Sequence, residues 1–268
     1  MALQRSITTS LGLYVYGGAA IFLGLLGLVS ADFATSWQNV APNFPLRTPL
    51  AYLTAVIELA GGIALFVPRT ARAGAMTLTI VYTVFTLIWV PKAFVNLGDY
   101  GSIGNVFEEF SLVAAGLVLS AIFSPAGSYL ARRRPFFVLL FGICPISFGI
   151  VHIVDMPGLL GMIPGWLPPT RMFWAYTTTL GFFGAAVAIL TGIMAPLAAR
   201  LLTAEIVIFE LVVWIPNLSG APKSHFNWAA NAICTAIAGA AWVVSDSIST
   251  AAKTKPLSVE SLALVDCG

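Results

Sequence analysis

Eight mostly apolar windows, at about 11–31, 49–67, 71–90, 105–123, 135–154, 173–193, 195–215 and 228–244, limit what this chain can become. A helix needs roughly 20 apolar residues to cross the hydrocarbon of a bilayer. All but the last window come close to that length or reach it. Charged side chains make up 9% of the 268 residues, against 59% hydrophobic, whereas a soluble domain carries about a quarter charged. Such a chain cannot cover a water-facing surface. Short alternating segments, the mark of a transmembrane barrel, are not its pattern. The expected fold class is all-α: a polytopic membrane protein of eight transmembrane helices in the lipid bilayer. A net charge of +2, with no basic run interleaved with aromatics, gives no sign of nucleic-acid binding.

The windows repeat at a spacing of about 122–125 residues. Ala51-Tyr52-Leu53-Thr54 is echoed by Ala175-Tyr176-Thr177-Thr178. The run from Phe85 to Trp89-Val90-Pro91 is echoed by that from Phe209 to Trp214-Ile215-Pro216. Gly27 matches Gly149, and Gly116 matches Gly239. The organisation expected is a first four-helix repeat over 1–124, an Arg-rich linker over 125–134, a second repeat over 135–244 and a polar tail over 245–268. Four spans per half bring both halves in from the same side, so the repeats are parallel, each expected as an antiparallel four-helix bundle.

Lysines and arginines set the orientation. Arg5, Arg69, Arg72, Arg132, Arg133, Arg134, Arg200, Lys253 and Lys255 fall at one end of the windows; Arg47, Lys92, Arg171 and Lys223 fall at the other. The expectation is a cytoplasmic (inner) membrane protein with both termini in the cytoplasm. Arg5 ahead of an apolar run imitates a signal peptide, but the run is long and has a counterpart in the second half, so it reads as a retained helix.

Ionisable groups inside apolar windows are functional candidates by default, because hydrocarbon does not solvate them. Glu58, Glu205 and Glu210 form the candidate intramembrane proton site. Glu58 is the deepest, either a structural hydrogen-bonded carboxyl, with Thr54, Tyr82 or Thr83 as partner, or a proton carrier. Glu205 and Glu210 are five residues apart and do not share a helical face closely. A second, outer-face polar cluster gathers His152, Asp155, Glu108, Glu109, Asn231, Asn217, Trp89 and Trp214. Glu108 and Glu109 read either as first-turn acids favoured by the helix dipole or as site residues. The two tryptophans read either as interfacial anchors or as flat surfaces for a quinone-like ring.

No catalytic residue is assigned. Two histidines, His152 and a loop-placed His225, lack metal spacing. Cys144, Cys234 and Cys267 form no CxxC pair and read as small hydrophobes where they lie in windows. Gly61-Gly62 reads as close helix packing.

Over residues 135–244 the chain resembles the DoxX-like membrane proteins. The resemblance lies in Phe148-Gly149-Ile150-Val151-His152, Ile163-Pro164-Gly165-Trp166-Leu167-Pro168, Phe173-Trp174-Ala175-Tyr176, Trp214-Ile215-Pro216-Asn217-Leu218 and Asn227-Trp228. A fainter copy runs through the first half in Pro42-Asn43-Phe44-Pro45, Ala51-Tyr52, Trp89-Val90-Pro91 and Gly116. The resemblance implies a four-helix unit, here duplicated, and a redox-associated membrane subunit that holds a quinone and meets a membrane or peripheral oxidoreductase subunit. The chain departs from the family where relatives often carry His before Leu-Pro and Lys-Asp at the start of the fourth helix. Here Trp89 and Trp214 stand in the first place, and Glu108-Glu109 and Ala230-Asn231 in the second. Two other readings stay open: a proton-coupled small-solute transporter using Glu58 and Glu205, and a structural or assembly protein without catalysis.

Overall fold

The computed structural model describes residues 10–95 and 100–254, with side chains described to residue 251. Every regular element among them is helical. In chain order these are α1 (Leu11–Ser30), α2 (Arg47–Phe66), α3 (Ala71–Val95), α4 (Tyr100–Ile122), α5 (Tyr129–Val154) and a short α6 (Met156–Met162). There follow α7 (Arg171–Thr191), α8 (Ala195–Phe209), a π turn (Glu210–Trp214), α9 (Ile215–Gly220) and α10 (His225–Thr254). Hydroxyls cap three of the long helices: Ser10 accepts from Gly12 N, Ser128 from Ala131 N, and Thr170 from Phe173 N.

Seven helices, α1 to α5 with α7 and α10, are long and apolar enough to cross a membrane. Their outward faces fit that solvent. Leu53, Ile80, Leu87, Leu180 and Val187 are each more than half exposed, an aggregation hazard in water but ordinary contact surface for lipid tails. The fold is that of a multi-pass, all-helical membrane protein. The window at 195–215 differs from the other seven. Its α8 has 15 residues, which at 1.5 Å per residue is short of the hydrocarbon thickness. The π turn and α9 follow it directly.

Several boundaries depart from the sequence reading. Proline ends neither helix expected to stop there. Pro91 lies inside α3, which continues to Val95, and Pro216 is the second residue of α9. Within α3, Pro91 leaves the carbonyl four residues back, that of Leu87, without its helical donor. The Arg-rich linker is shorter than 125–134, because Ser128 starts α5 and Arg132, Arg133 and Arg134 lie in its first turns. His225 opens α10 and is not a loop residue. The same helix runs to Thr254, so the first part of the expected tail is helical, with Ser245 and Ser247 buried. The remainder of the tail, with Lys255 and Cys267, lies outside the described residues, as does Arg5.

The helices pack as one closed series. α1, α2, α3, α4, α5, α7, α8 and α10 each lie against the next, α10 returns to α1, and α4 and α10 also meet across the middle. These two are the most enclosed, with 67% and 72% of their most apolar stretch buried, against half or less for the other spans. The last helix of each half packs on the first helix of the other. Within the first half α4 reaches α1 through Tyr16, whose hydroxyl donates to the Leu112 carbonyl at 2.9 Å.

Small residues allow this closeness. Hydrocarbon offers no hydrophobic reward for helix association, so the gain comes from backbone approach and dispersion. A Cβ built on Gly239 of α10 would lie 2.5 Å from the Tyr16 amide nitrogen, and one on Gly12 of α1 would lie 2.8 Å from the Val243 nitrogen. Ser10 at the foot of α1 also donates to Asp246 of α10. Gly239→Ala is therefore expected to destabilise the protein by about 1–3 kcal/mol through overpacking. Gly18→Ala, at a position with nothing within 4 Å, is expected to change little. Thermal unfolding of both variants in one detergent is the comparison; equal melting temperatures would remove the α1–α10 contact from its central place.

Candidate functional site

A cavity of about 210 Å³ opens among the helices of the second half. Phe148, Val151 and His152 of α5, Phe182 of α7, Ile206 and Phe209 of α8, and Trp214 of the π turn line it. Ala230, Ile233, Cys234 and Ile237 of α10 close the central side, and Leu159 and Met162 of α6 lie at its outer end. Exposed Asp155 marks where the space reaches the surface. From the first half, Gly104 and Glu108 of α4 and Trp37 of the α1–α2 loop complete the wall.

The local sequence explains how the polar groups arrive there. α4 starts at Tyr100, so Glu108 and Glu109 sit in its third turn and the first turn holds no acid. The helix-dipole reading of this pair is thereby corrected. Successive residues on a helix point about 100° apart, and the central position of α4 turns that angle into a division of labour. Glu108 faces the cavity, where its Oε2 accepts from Trp37 Nε1 at 2.5 Å. Glu109 lines no part of the cavity and is buried among first-half helices at 1% exposure.

His152 and Asp155 of the expected outer cluster do not pair. α5 stops at Val154, and Asp155 turns to cap α6, accepting from Gly158 N at 3.1 Å. His152 instead stands edge-on to Phe182, with ring centroids 5.1 Å apart. Its Nδ1 lies 3.4 and 3.5 Å from the hydroxyls of Thr178 and Thr179. Both hydroxyls already donate to helix carbonyls, Thr178 to Trp174 and Thr179 to Ala175. The hydrogen in any bond to the ring must then come from Nδ1, which leaves Nε2 as an acceptor.

The other expected members of the outer cluster have separate duties. Asn231 donates to the carbonyls of Trp214 and Asn227, at 3.0 and 2.8 Å, and so pins the π turn to α10. Asn217 is exposed, and its carbonyl accepts from Asn227 Nδ2. Trp89 lies outside the cavity and donates Nε1 to the Trp37 carbonyl at 2.9 Å, with Lys92 Nζ 4.9 Å from its ring centroid. Trp214 does line the cavity, and the wider π turn that carries it is a feature common at functional sites.

Trp37 joins these groups and was missed from sequence. Besides its bonds to Glu108 and Trp89, it stacks on Phe226 at 5.6 Å, and Phe226 meets Trp214 edge-on at 6.2 Å. One signal was available: the loop over 31–46 is long for a helix connection and holds Phe33, Trp37 and Phe44, which a merely solvated loop does not need. Nothing in the sequence placed Phe148, Phe182, Phe209 and Cys234 around one space. Cys144 and Cys234 are free and buried, as their apolar windows imply.

The proton-site candidates separate in the structure. Glu58, 1% exposed, accepts from Gln38 Nε2 at 2.7 Å, and the Gln38 carbonyl oxygen accepts from Ala34 N at 3.0 Å. Thr54, Tyr82 and Thr83 were the wrong partners: the donor comes from the folded-in loop, not from a neighbouring span. Glu205 of α8 rests against α7 where Gly181 leaves room for its carboxylate. Glu210, at the start of the π turn, accepts from the Thr235 hydroxyl of α10. Among the described residues no group of three or more His, Cys, Asp or Glu is arranged to hold a metal ion.

No family model matches the chain, and neither a characterised protein nor a solved structure is similar to it at a significant level.

Removing the donor to a buried carboxyl while leaving the carboxyl is expected to be costly. Gln38→Leu should therefore destabilise the protein by about 1–3 kcal/mol. The double variant Gln38→Leu, Glu58→Met should recover most of that loss, because neither polar group then remains. Thermal unfolding of the two single variants and the double variant checks the coupling; strict additivity would show that Gln38 and Glu58 do not act as a pair.

Proposed function

We propose that the protein is a redox-associated membrane subunit of DoxX-like type, which holds a quinone or quinol ring in the second-half cavity. The observation that carries this reading is the cavity itself. At about 210 Å³ it exceeds the roughly 150 Å³ known to hold a benzene ring. Phe148, Phe182, Phe209 and Trp214 supply apolar and aromatic walls. His152 and Glu108 supply polar groups on helices α5 and α4. A ring with oxygen substituents can stack on the former and hydrogen-bond the latter. A carboxyl donates when protonated and accepts when ionised, so Glu108 can serve either oxidation state of such a ring. When bound, the quinone supplies the electron chemistry; the residues of this chain orient it, exclude water and exchange protons with its oxygens. A membrane or peripheral oxidoreductase is the partner this reading requires.

The same proposal includes eight spans in two parallel repeats with cytoplasmic termini. Phe209, Glu210, Trp214 and Ile215 all keep right-handed helical dihedrals, which supports α8, the π turn and α9 as one interrupted crossing. The packing order supports the repeat, since the sequential neighbours α1–α2, α2–α3 and α3–α4 have counterparts in α5–α7, α7–α8 and α8–α10. At the repeat spacing, cavity-lining Phe182 and Ile206 stand opposite Glu58 and Tyr82. The position that is polar and filled in the first half is apolar and open in the second. A transporter with Glu58 and Glu205 as carriers has less support, because Glu58 is tied to Gln38 and the two lie in different halves.

Titrating the purified protein with short-chain ubiquinone and menaquinone analogues tests the reading. Saturable quenching of tryptophan fluorescence and a rise in melting temperature are expected. Ala230→Phe, which fills the cavity from α10, and His152→Leu, which removes an acceptor, should each weaken binding by about tenfold or more, equivalent to about 1.4 kcal/mol. Lack of saturable binding, or wild-type affinity in both variants, would favour a purely structural or assembly role.

A further inference from the structure

The core of the first half holds more polar chemistry than packing needs. Tyr16 of α1, Glu58 of α2, Tyr82 of α3 and Glu109 of α4 are each at most 1% exposed. The tyrosine rings meet edge-on at 6.2 Å. Glu109 lies within electrostatic range of Glu58 and Glu108, and both tyrosines lie within range of Glu58 and Glu109. Two of these groups are partly satisfied, since Tyr16 donates to Leu112 and Glu58 accepts from Gln38. The others are not. Both oxygens of Glu109 and the hydroxyl of Tyr82 are fully buried without a hydrogen-bond partner.

Among the described residues no ion pair joins any of them to a cation. Arg47 is engaged with Asp32 at 2.6 Å, and Lys92 lies over Trp89. Two carboxyls buried near one another strongly disfavour carrying charge together, and a lone ionised one without hydrogen bonds is very unfavourable. Protons are the simplest occupants that make such a cluster electrically tolerable. Glu109 also has Glu108 as its chain neighbour, on a helix shared by both halves, and Glu108 lines the ligand cavity.

We propose that Glu58 and Glu109 form a buried proton store that exchanges with the second-half cavity through Glu108. The first half is then a proton reservoir for the second. When side-chain rotation brings the two carboxyls into hydrogen-bond reach, a proton leaves the Glu109 carboxyl for the Glu108 carboxylate and passes to an oxygen of the bound ring. Glu109 is reprotonated from Glu58, and the reverse sequence returns the proton; no electron moves in these steps. The delivery to a ring oxygen rests on the quinone reading, whereas the store and its link to Glu108 do not. Glu108 and Glu109 differ in role because α4 presents them to different halves.

Infrared spectroscopy of the full chain in phosphatidylcholine nanodiscs, without quinone, tests the store. At neutral pH the wild type is expected to show protonated-carboxyl C=O absorption, part of which disappears in Glu109→Gln and part in Glu58→Gln. Tyr82→Phe should shift the frequency of that absorption without removing it. On transfer to D2O, Glu108→Gln should retain the Glu109 band but slow its isotope shift by about tenfold or more. An unchanged carboxyl band in a folded Glu109→Gln, or equal exchange rates in Glu108→Gln and wild type, overturns the proposal. Should Glu109→Gln fail to fold, the wild-type band and its exchange rate in Glu108→Gln still decide. A failure of quinone binding appears only in the titration above, so the two readings fall separately.

Discussion

Leucine packed against leucine gains little over leucine packed against a lipid tail, so a membrane bundle must be held by something else. Here it is the close approach of backbones at α1, α4 and α10. Gly12 and Gly239 admit α10 to within contact of the α1 main chain, and the Ser10 hydroxyl donates to Asp246 across the same pair. α4 contributes Ser111, Ala114, Ala115 and Ser120 to the enclosed centre, and α10 contributes Ala229, Ala232, Ala236 and Ala240. Larger side chains on these faces would part the helices, and the closed series of eight helical positions depends on their staying together.

From that centre the two halves fill their interiors differently. In the first, the α1–α2 loop folds inward, burying Phe33, Ala34, Trp37 and Gln38 over a cluster of carboxyls and phenols. In the second, the corresponding connection becomes α6, whose Leu159 and Met162 lie beside a cavity without filling it. The π turn ahead of Pro216 adds a further difference between α3 and the segment after α8. It presents Trp214 to the open space, whereas Trp89 in an uninterrupted α3 is tied to the Trp37 carbonyl.

The grouping of the polar residues singled out from sequence was not legible. Depth along a span can be counted from the ends of an apolar window, and Glu58, Glu205 and Glu210 were found in that way. The side of the helix that a residue faces depends on where the helix begins and on which neighbour lies there. Glu108 and Glu109 illustrate the difficulty: adjacent in sequence and read as one feature, they face different surroundings, one the cavity and the other a buried core, because successive helical residues point about 100° apart and α4 lies at the centre. Gln38 could not be assigned to Glu58, since a loop residue enters a core only when the loop turns inward.

The sequence by itself determined the solvent and the class of structure. With so few charges and such long apolar windows, only helices satisfying their own backbone groups can form in hydrocarbon. Hydrophobic length is a local property, which is why the spans were visible. Tertiary structure decided the rest: the sharing of α4 and α10 between halves, the interruption of the window at 195–215, and the placing of a cavity in one half and a polar core in the other. Those outcomes depend on contacts among residues far apart in the chain, where one missing Cβ or one inward-turning loop selects the neighbour, and no spacing along the sequence records that choice.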